Sequence, residues 1–527
     1  MLTKRLRVLT PEALRNLRRG IEKESLRVNA DGTLADTPHP AALGSPLTHP
    51  NITTDFSESQ LELITGVHAG VDDCLQELAE IHQFVYRQIG DEMLWSTSMP
   101  CKLPADDRIP IGQYGSSNIG MAKTVYRHGL SHRYGSRMQT ISGIHYNFSL
   151  PETAWPLLQQ ADAHGGPARE YQTESYFALI RNFRRHSWLL LYLFGASPAV
   201  CETFVAGRTH GLQRLKDGTL YLPGATSLRM GPLGYQSDAQ SALAVSYNSL
   251  ESYARSLYGA LTQPYPPYAE IGIRDGDGYK QLSTSLLQIE NEFYGTIRPK
   301  RRIHKGERPL HALGERGVEY VEVRCMDLDP FTPIGIAAET MRLLDTFLLY
   351  CLLSESLPDT IGELAANARN QMLVAERGRD PDLRLERHGE HLSLSEWGAE
   401  LLSGCGPIAA ALDAAHSASV YTDSLSAAMA ALDDPSLTPS ARIFDEMARK
   451  HDDSYLQFAL KRSRRYCAEM LESPFPVETQ ARFARLAAES ISERRDIEAS
   501  DTIDFETFRQ QYLAQDLLSG IRLESGA

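Results

Sequence analysis

The chain has 527 residues, of which 42% are hydrophobic and 23% are charged, and its formal net charge is −14 at pH 7. This composition is ordinary for a globular protein with a sizeable core, and the acidity argues against nucleic acid or an anionic membrane as the main partner. The length exceeds one average domain, yet no stretch has the composition of a flexible linker. We therefore expect one large unit that carries a second, mainly helical region.

The N-terminal segment is basic, but it lacks the continuous apolar core of a secretory signal, and its Leu spacing after Pro11 predicts a short amphipathic helix. The longest apolar run, 188–201, is too short to span a bilayer and is interrupted by Gly195 and Pro198. We expect this run to form a buried helix and its exit. We also expect the protein to stay in the cytoplasm.

Up to about residue 335 the chain mixes short runs of period two with helical stretches, and beyond that point helical periodicity dominates. The predicted strands are 19–28, 60–65, 138–150, 286–294 and 318–326. The predicted helices are 74–89, 175–194, 339–353, 394–402, 407–415 and much of 440–495. Asp-Gly pairs at 31–32, 275–276 and 277–278 predict tight turns. We place a soft boundary between a sheet region, 1–335, and a mainly helical region, 336–527.

The cysteines indicate neither a disulfide framework nor a zinc site. They number seven, are widely scattered and never form a CxxC pair. The sequence also has no GxxxxGK[ST] phosphate loop, no GxGxxG after a strand and no HExxH. Any chemistry must therefore come from a different arrangement of side chains.

Acidic residues stand two apart on the first predicted strand. Side chains at this spacing share one face, so Glu22 and Glu24 would project side by side, where repulsion keeps one protonated unless a cation lies between them. A metal site is the economical explanation, and a solvent-facing edge strand is the alternative. Asp55, in the turn-like TTDFSES, and Glu62, in QLELIT, add two more carboxylates.

The last predicted strand carries a similar polar face. Tyr320, Glu322 and Arg324 would lie on one side of the strand, where the carboxylate and the guanidinium are neighbours. Such a pair can belong to a functional site, but it can also be a simple surface ion pair that contributes little to stability.

The strand predicted over 138–150 would have one face that lines a pocket and one face that belongs to the core. Aromatic Tyr146 and Phe148 would point to the core. A lone His on a strand is commonly structural, but here polar residues share its face. The pocket face would carry Gln139, Ile141, Gly143, His145 and Asn147.

Taken together, these segments resemble the proteobacterial type of glutamate-cysteine ligase. The matching strings occur in order over about two thirds of the chain, and several exceed ten residues. They are GIEKESLRV from Gly20, ALGSPLTHPNITTDFSESQLELIT from Ala42, YRHGLSHRYGSRMQTISGIHYNFSLP from Tyr126, YLFGASPAVC from Tyr192, TSLRMGPLGY from Thr226, LLQIENEFYGTIRPKR from Leu286 and VEYVEVRCMDLDPFTPIG from Val318. The C-terminal third resembles the family only loosely.

The resemblance implies an activity and a fold. The activity is the ATP-dependent joining of L-glutamate to L-cysteine through γ-glutamyl phosphate, which gives γ-glutamylcysteine in the first step of glutathione synthesis. The fold is of the α+β class, with a curved antiparallel sheet like that of glutamine synthetase, ligands in its concave face and helices behind. The resemblance also implies a monomer that glutathione inhibits by feedback.

The resemblance further implies site residues, position by position. The implied ligands of two or three Mg²⁺ ions, which Mn²⁺ can replace, are Glu22, Glu24, Asp55, Glu62, His145 and Glu322. Arg324 would steady the transferring phosphoryl group, and Arg229 would face the cysteine carboxylate. The implied cysteine pocket consists of Tyr126, Leu130, Gln139, Ile141, Arg229, Tyr235 and Tyr294, with Asn147 placed near substrate.

The basic run 297–302 would help to hold nucleotide phosphates in an otherwise acidic protein, with Arg298 and Lys300 as its candidate contacts. A solvated loop is the alternative for this run. For the whole chain, the nearest rival function is a glutamate or carboxylate-amine ligase that uses another amine. A second rival is a metal-binding regulator that kept the fold without catalysis.

Overall fold

The computed structural model of this chain describes residues 1–234, 238–241, 243–304 and 306–514. Its strands are β1 Arg18–Val28, β2 Ile52–Thr54, β3 Gln60–Ile64, β4 Met93–Leu94, β5 Ile144–Ser149, β6 Ala199–Cys201, β7 Gln213–Arg214, β8 Thr219–Tyr221, β9 Arg274–Asp275, β10 Gly278–Tyr279, β11 Ile297–Lys300, β12 Tyr320–Met326, β13 Arg384–Arg387 and β14 Glu390–Ser393.

The helices are distributed along the whole described chain. They are α1 Leu2–Val8, α2 Pro11–Arg15, α3 Val71–Tyr86, α4 Asn118–Tyr134, α5 Ser136–Gln139, α6 Ala154–Ala161, α7 Ala168–His186, α8 Trp188–Phe194, α9 Asp238–Ser241, α10 Leu250–Thr262, α11 Pro266–Ile271, α12 Pro309–Arg316, α13 Ala338–Leu353, α14 Ile361–Arg377, α15 Leu394–His416, α16 Val420–Asp433, α17 Pro439–Lys450, α18 Tyr455–Glu472, α19 Val477–Ser500 and α20 Phe505–Tyr512.

One antiparallel sheet organises the molecule. Its strands lie in the order β11-β12-β5-β1-β3-β2, and β4 pairs with the end of β1. Alternation divides each strand between two faces. One face is apolar and buried in the main core, and it carries Ile21, Leu61, Leu63, Tyr146, Phe148, Val321 and Val323. Helices α3, α7 and α8 pack against the sheet. The opposite face, called the polar face below, carries the charged residues.

A buried ion pair joins the sheet to the helices that follow it. Arg19 in β1 lies 2.9 Å from Asp345 in α13, and the Tyr146 hydroxyl donates to the same carboxylate at 2.7 Å. Both charged side chains are fully buried. Because removing one partner would leave a buried charge uncompensated, this contact fixes α13 against the sheet.

The predicted fold class is confirmed: the protein is of the α+β class, with an antiparallel sheet and many helices. The strands predicted over 19–28, 60–65 and 318–326 and the helices predicted over 74–89 and 339–353 lie within a few residues of their expected places. The run 188–201 begins with the buried helix α8, as expected. The hairpin of β9 and β10 turns at 275–278, which contain two of the three Asp-Gly sequences.

Two of the five predicted strands are wrong in whole or in part. The strand predicted over 138–150 begins only at Ile144, because 136–139 form the short helix α5. The strand predicted over 286–294 is absent from these residues, which contain a 3₁₀ turn at Glu290–Glu292. Both carboxylates of this turn are buried against arginines, Glu290 against Arg308 at 2.6 Å and Glu292 against Arg133 at 2.9 Å. The alternation of polar residues in this segment therefore arises from buried ion pairs and not from the two faces of a strand.

Two helix predictions are also corrected. The helix predicted over 175–194 is two helices that meet at Ser187, whose hydroxyl accepts a hydrogen bond from Gln371 of α14. The two helices predicted over 394–402 and 407–415 are one helix, α15, with Pro407 inside it. The helix continues through the proline because packing of its long apolar face on the core outweighs the lost hydrogen bond.

The cysteine prediction is wrong at one pair. Cys101 and Cys201 form a disulfide, with their Cα atoms 5.1 Å apart, although 100 residues separate them in sequence. The local spacing of cysteines does not reveal such a contact, because only the fold brings β6 beside the segment after β4. The other five cysteines of the described chain are free.

From Ala338 to Tyr512 the regular elements of the described chain are α-helices, apart from the hairpin of β13 and β14 and one 3₁₀ turn. Within the described residues, no helix has both the length and the apolar character that crossing a bilayer requires.

Candidate active site

The predicted metal ligands lie on five neighbouring strands of the sheet or directly beside them. Glu22 is opposite His145 in the pairing of β1 with β5, and Glu24 is opposite Glu62 in the pairing of β1 with β3. Asp55 follows the last residue of β2, the strand beside β3. The antiparallel registers therefore bring residues from distant parts of the sequence to one patch of the polar face.

His145 occupies the middle of this patch. Its Nδ1 lies 3.2 Å from Glu22 Oε2, and its Nε2 lies 3.5 Å from Glu24 Oε1. The amide of Asn147, two residues along β5, donates to Glu22 Oε1 at 2.9 Å. Glu22, Glu62 and His145 each offer a ligand atom within 4.8 Å of the others, which is a spacing that one metal ion can bridge.

Glu322 lies on the side of the patch where three cationic side chains surround its carboxylate. Its carboxylate lies 3.2 Å from Lys300 Nζ, 3.2 Å from Arg324 Nη1 and 3.9 Å from Arg298 Nη1. Burial alone would raise the pKa of Glu322, but the charges of Lys300 and Arg324 outweigh it and hold this pKa well below its usual value. Glu322 is therefore ionised at neutral pH.

Glu24 and Glu62 have the opposite electrostatic balance. Burial, together with the charge of Asp55, raises the pKa of Glu24 to about 8, although Arg229 and Arg324 oppose the shift. Burial and the charges of Glu22, Asp55 and Glu24 raise the pKa of Glu62 well above its usual value. This side of the patch thus carries more acidic groups than the protein's own cations neutralise.

Two buried atoms show what the patch lacks. Glu24 Oε1 and His145 Nε2 point toward each other, and neither has a hydrogen-bond partner among the described residues. Buried polar atoms are rarely left without partners, and a metal ion bound between carboxylates would satisfy both of these. The donor set of carboxylate oxygens and one imidazole therefore fits a divalent cation.

The predicted cysteine pocket lies beyond the start of β5. The Gln139 amide in α5 donates to the Tyr294 hydroxyl at 3.0 Å. Leu130 and Ile141 are buried in one apolar cluster, against which the rings of Tyr126 and Tyr294 pack. The structure thus brings five predicted pocket residues together. Gln139 and Ile141 do so from α5 and the loop after it, and not from a strand as predicted.

Arg229 lies under the loop that precedes β5. Its side chain is fully buried, its Nη2 donates to the Arg324 carbonyl at 3.0 Å, and its Nη1 lies 3.7 Å from Asp327. A Cβ atom added to Gly143 would lie 2.6 Å from the guanidinium carbon of Arg229, so this close approach requires glycine. The N–H of Gly143 also donates to Glu24 Oε2 at 2.7 Å. The predicted pocket residue Tyr235 lies outside the described residues.

Sequence reasoning missed Asp327 and the role of Gly143. Asp327 accepts hydrogen bonds from the Ala196 N–H at 2.8 Å and the Ser227 hydroxyl at 3.0 Å, and it is buried beside Arg229. It follows β12 directly, so no alternation pattern singled it out. The acidic pair in MDLD was the one available signal.

A cavity of about 690 Å³ opens at the other end of the same strands. Glu22 and Asn147 line it on the side of the acidic patch. Tyr320, the first residue of β12, its neighbour Glu319 and Arg302 line its other side. The patch thus lies between this cavity and the residues of the predicted cysteine pocket.

Comparisons with known proteins agree with this geometry. The family model of glutamate-cysteine ligase matches residues 6–374. A glutamate-cysteine ligase of Pseudomonas entomophila is 50% identical over 516 residues, which cover 98% of this chain and 97% of that protein. A glutamate-cysteine ligase of Pseudomonas putida is 50% identical over 516 residues, which cover 98% of this chain and 98% of that protein.

Solved structures give the same picture. The glutamate-cysteine ligase of Francisella tularensis, solved in complex with AMP, is similar with a TM-score of 0.89 at 37% identity, over 94% of this chain and 97% of that one. A bifunctional glutathione synthetase from Pasteurella multocida is similar with a TM-score of 0.72 at 26% identity, over 92% of this chain and 58% of that one.

Proposed function

This chain belongs to the glutamate-cysteine ligase family, and we propose that the polar face of its sheet is where the ligase reaction takes place. The protein is an ATP-dependent ligase that joins the side-chain carboxylate of L-glutamate to the amine of L-cysteine. The product, γ-glutamylcysteine, is the first intermediate of glutathione synthesis. One observation supports the proposed site most. Glu24 Oε1 and His145 Nε2 are buried 3.5 Å apart, and neither has a hydrogen-bond partner among the described residues.

The acidic patch would hold two or three Mg²⁺ ions, with Mn²⁺ as a replacement. The residues that would hold them are Glu22, Glu24, Asp55, Glu62, His145 and Glu322. Magnesium prefers oxygen ligands, so His145 would be the exceptional ligand of the set. When bound, the ions neutralise the negative charge of the phosphates and of the nearby carboxylates.

The chemistry begins with a carboxylate that is a poor electrophile. A side-chain oxygen of glutamate bonds to the γ-phosphorus of ATP, and ADP leaves with the electrons of the broken P–O bond, which gives γ-glutamyl phosphate. Arg324 and Lys300, both within 3.2 Å of Glu322, would donate charge-assisted hydrogen bonds to the phosphoryl oxygens as charge moves onto them. Arg298, on the same face of β11, would add a third positive charge.

The cysteine amine then attacks the acyl carbon, the new C–N bond forms, and phosphate leaves with the electrons of the C–O bond. The attacking nitrogen must lose a proton, and the phosphate oxygens are available to accept it. Tyr126, Leu130, Gln139, Ile141 and Tyr294 would surround the cysteine side chain, and Arg229 would face its carboxylate. Tyr235 belongs to the same proposed pocket.

The two sides of the acidic patch would bind different substrates. ATP would enter through the cavity lined by Glu22, Asn147 and Tyr320, so that its phosphates reach the acidic patch. Cysteine would enter at the opposite end, beside Gln139 and Tyr294. This arrangement keeps Asn147 near the phosphates and glutamate, and it lets the amine approach the acyl group from the side away from ADP.

We further propose that the enzyme works as a cytoplasmic monomer and that glutathione inhibits it by occupying the glutamate and cysteine positions together. Glutathione contains both residues in one molecule, so it would compete with glutamate. Saturation kinetics at fixed glutathione concentrations should show a rising apparent KM for glutamate. An unchanged KM would refute this form of inhibition.

The direct test is ADP release by the purified protein with Mg²⁺, ATP and glutamate, comparing cysteine with other amines and identifying the product by mass. We expect cysteine to stimulate turnover and γ-glutamylcysteine to appear. A clear preference for another amine would leave the activation chemistry standing and would remove the proposed cysteine pocket.

A further inference from the structure

The C-terminal end of the described chain grips the helix that carries part of the proposed cysteine pocket. Residues 498–513, called the clasp below, lie against the start of α4. Glu498 Oε1 accepts from the Ser116 N–H at 2.9 Å, and Asp501 Oδ2 accepts from the Asn118 N–H at 2.6 Å. In return, the Asn118 amide donates to the Ile503 carbonyl at 2.9 Å.

These contacts supply what α4 lacks locally. The first turn of α4 contains no acidic residue, although a negative charge there is favourable because unpaired N–H groups give a helix N-terminus a partial positive charge. Ser117 accepts from the N–H of Gly120, and Asp501 accepts from that of Asn118. A carboxylate nearly 400 residues away thus completes the cap of this helix.

The clasp also makes an apolar contact. Phe505, at the start of α20, is buried in a small cluster with Ala122, Val125 and Leu282. Tyr126 packs against this cluster and also against the separate cluster that contains Leu130 and Ile141. Tyr126 therefore joins the cluster that contains the clasp residue Phe505 to the cluster that contains proposed pocket residues.

The far end of the clasp is tied to the segment that leads to Tyr294. Arg509 donates to the Leu282 carbonyl at 2.6 Å, and Arg308 donates to the Tyr512 carbonyl at 2.7 Å. The Arg308 guanidinium also pairs with the buried Glu290 at 2.6 Å. The clasp is thereby fixed between α4 and the 3₁₀ turn that precedes Tyr294.

We propose that Asp501 and Phe505 are positioning residues for the amine substrate: they hold α4, and with it Tyr126, at the distance from Tyr294 that cysteine requires. This inference rests on the proposed pocket function of Tyr126. The clasp itself makes no described contact with the acidic patch. Helix α4 reaches the patch through Arg127, which donates to the Asp55 carbonyl independently of the clasp. Loss of the clasp should therefore weaken cysteine binding and leave the activation of glutamate by ATP intact.

The experiment uses the full chain with Asp501→Ala and Phe505→Ala. We expect the KM for cysteine to rise about tenfold, with kcat and the KM values for glutamate and ATP within twofold of the unaltered protein. Phe505→Leu, which keeps most of the apolar volume, should restore most of the cysteine affinity. The matched control is Arg482→Gln. Arg482 lies on α19, the helix that Asp501 follows, and it pairs with Glu80 of α3, away from α4.

Each result decides the question. An unchanged KM for cysteine in both alanine variants overturns the proposal, and so does a parallel rise of all three KM values, which would indicate a general structural role. If Phe505→Ala does not fold, the Asp501→Ala and Phe505→Leu variants carry the test. Tyr126→Leu separates the two inferences: if it leaves the KM for cysteine unchanged, the pocket assignment fails, whatever the clasp does.

Discussion

The acidic patch differs in construction from the residues of the proposed cysteine pocket, which are called the wall below. The patch lies on regular strands, where the register fixes each side chain against its neighbour, as with Glu24 and Glu62. The wall lies on short helices, turns and loops, and packing holds it in place, as with Gln139 in α5 and Arg229 in a 3₁₀ turn. A strand face can therefore be inferred from its own sequence, whereas a wall of this kind depends on contacts between distant segments.

The two regions also differ in charge balance. At the wall, Asp327 pairs with Arg229 inside the protein. In the patch, Glu24 and Glu62 have raised pKa values because burial and neighbouring carboxylates disfavour their ionised forms. At the wall a guanidinium already lies beside the buried carboxylate, whereas the patch requires added positive charge before all of its carboxylates ionise.

The largest expected effect is on the patch. Glu322→Gln keeps the shape of the side chain and removes the charge that Lys300 and Arg324 surround, so we expect kcat to fall about a thousandfold while the fold is retained. ADP release and the thermal midpoint measure the two quantities. Glu386→Gln, on β13 and paired with Arg369, is the matched control and should keep normal activity. Near-normal turnover by Glu322→Gln would remove Glu322 from the site.

A second change would break the separation between the two regions. The added methyl group of Gly143→Ala would collide with the Arg229 guanidinium. It would push this guanidinium away from the loop whose N–H donates to Glu24. A displacement of about 1 Å at reacting groups can cost a hundredfold, so we expect kcat/KM for cysteine to fall about that much, with kcat also reduced. Steady-state kinetics with varied cysteine measure both. If only the KM for cysteine changes, Gly143 serves the wall alone.

A third change should affect the wall alone. Asp327→Asn keeps the size of the side chain but removes the negative charge beside Arg229 and one of its two acceptor oxygens, so the guanidinium should lose its fixed orientation. We expect the KM for cysteine to rise about tenfold, which corresponds to about 1.4 kcal/mol, with little change in the KM for glutamate. Equal effects on both substrates would show that wall and patch are coupled through Asp327.

The smallest effect concerns protons. In the metal-free protein the pKa of Glu24 is about 8, so between its usual pKa of 4.5 and pH 8 the folded protein holds a proton that the unfolded chain releases. Stability without metal should therefore decrease as pH rises through this window, and a metal ion must displace the proton to bind. We expect Mn²⁺ affinity to increase about fivefold from pH 7 to pH 8 through this group.

Calorimetric titration with Mn²⁺ in two buffers of different ionisation enthalpy would measure the released protons directly. Glu24→Gln, which has no proton to lose at this position, is the comparison and should release fewer protons. An affinity that is flat between pH 7 and pH 8 would contradict the assignment of Glu24 as a ligand that binds in its ionised form.

The sequence predicted the patch better than the wall for a physical reason. Alternation places Glu22 beside Glu24, and Glu322 beside Arg324, whatever the rest of the chain does, and the structure has these faces as predicted. No local period reports that Gln139 is helical or that Glu292 is buried against Arg133. The resemblance to a family supplied Gln139 and the other wall residues by position, and their roles, like the boundary at residue 335, stay predictions.

The disulfide between Cys101 and Cys201 has a topological consequence. It closes a covalent ring that contains Tyr126, Leu130, Gln139 and Ile141 but excludes Arg229 and Tyr294. One part of the wall therefore belongs to the ring and another part to the chain outside it. A protease that nicks an exposed bond within the ring would leave one covalent molecule while the disulfide persists, and would release two fragments, each with part of the wall, once it is reduced.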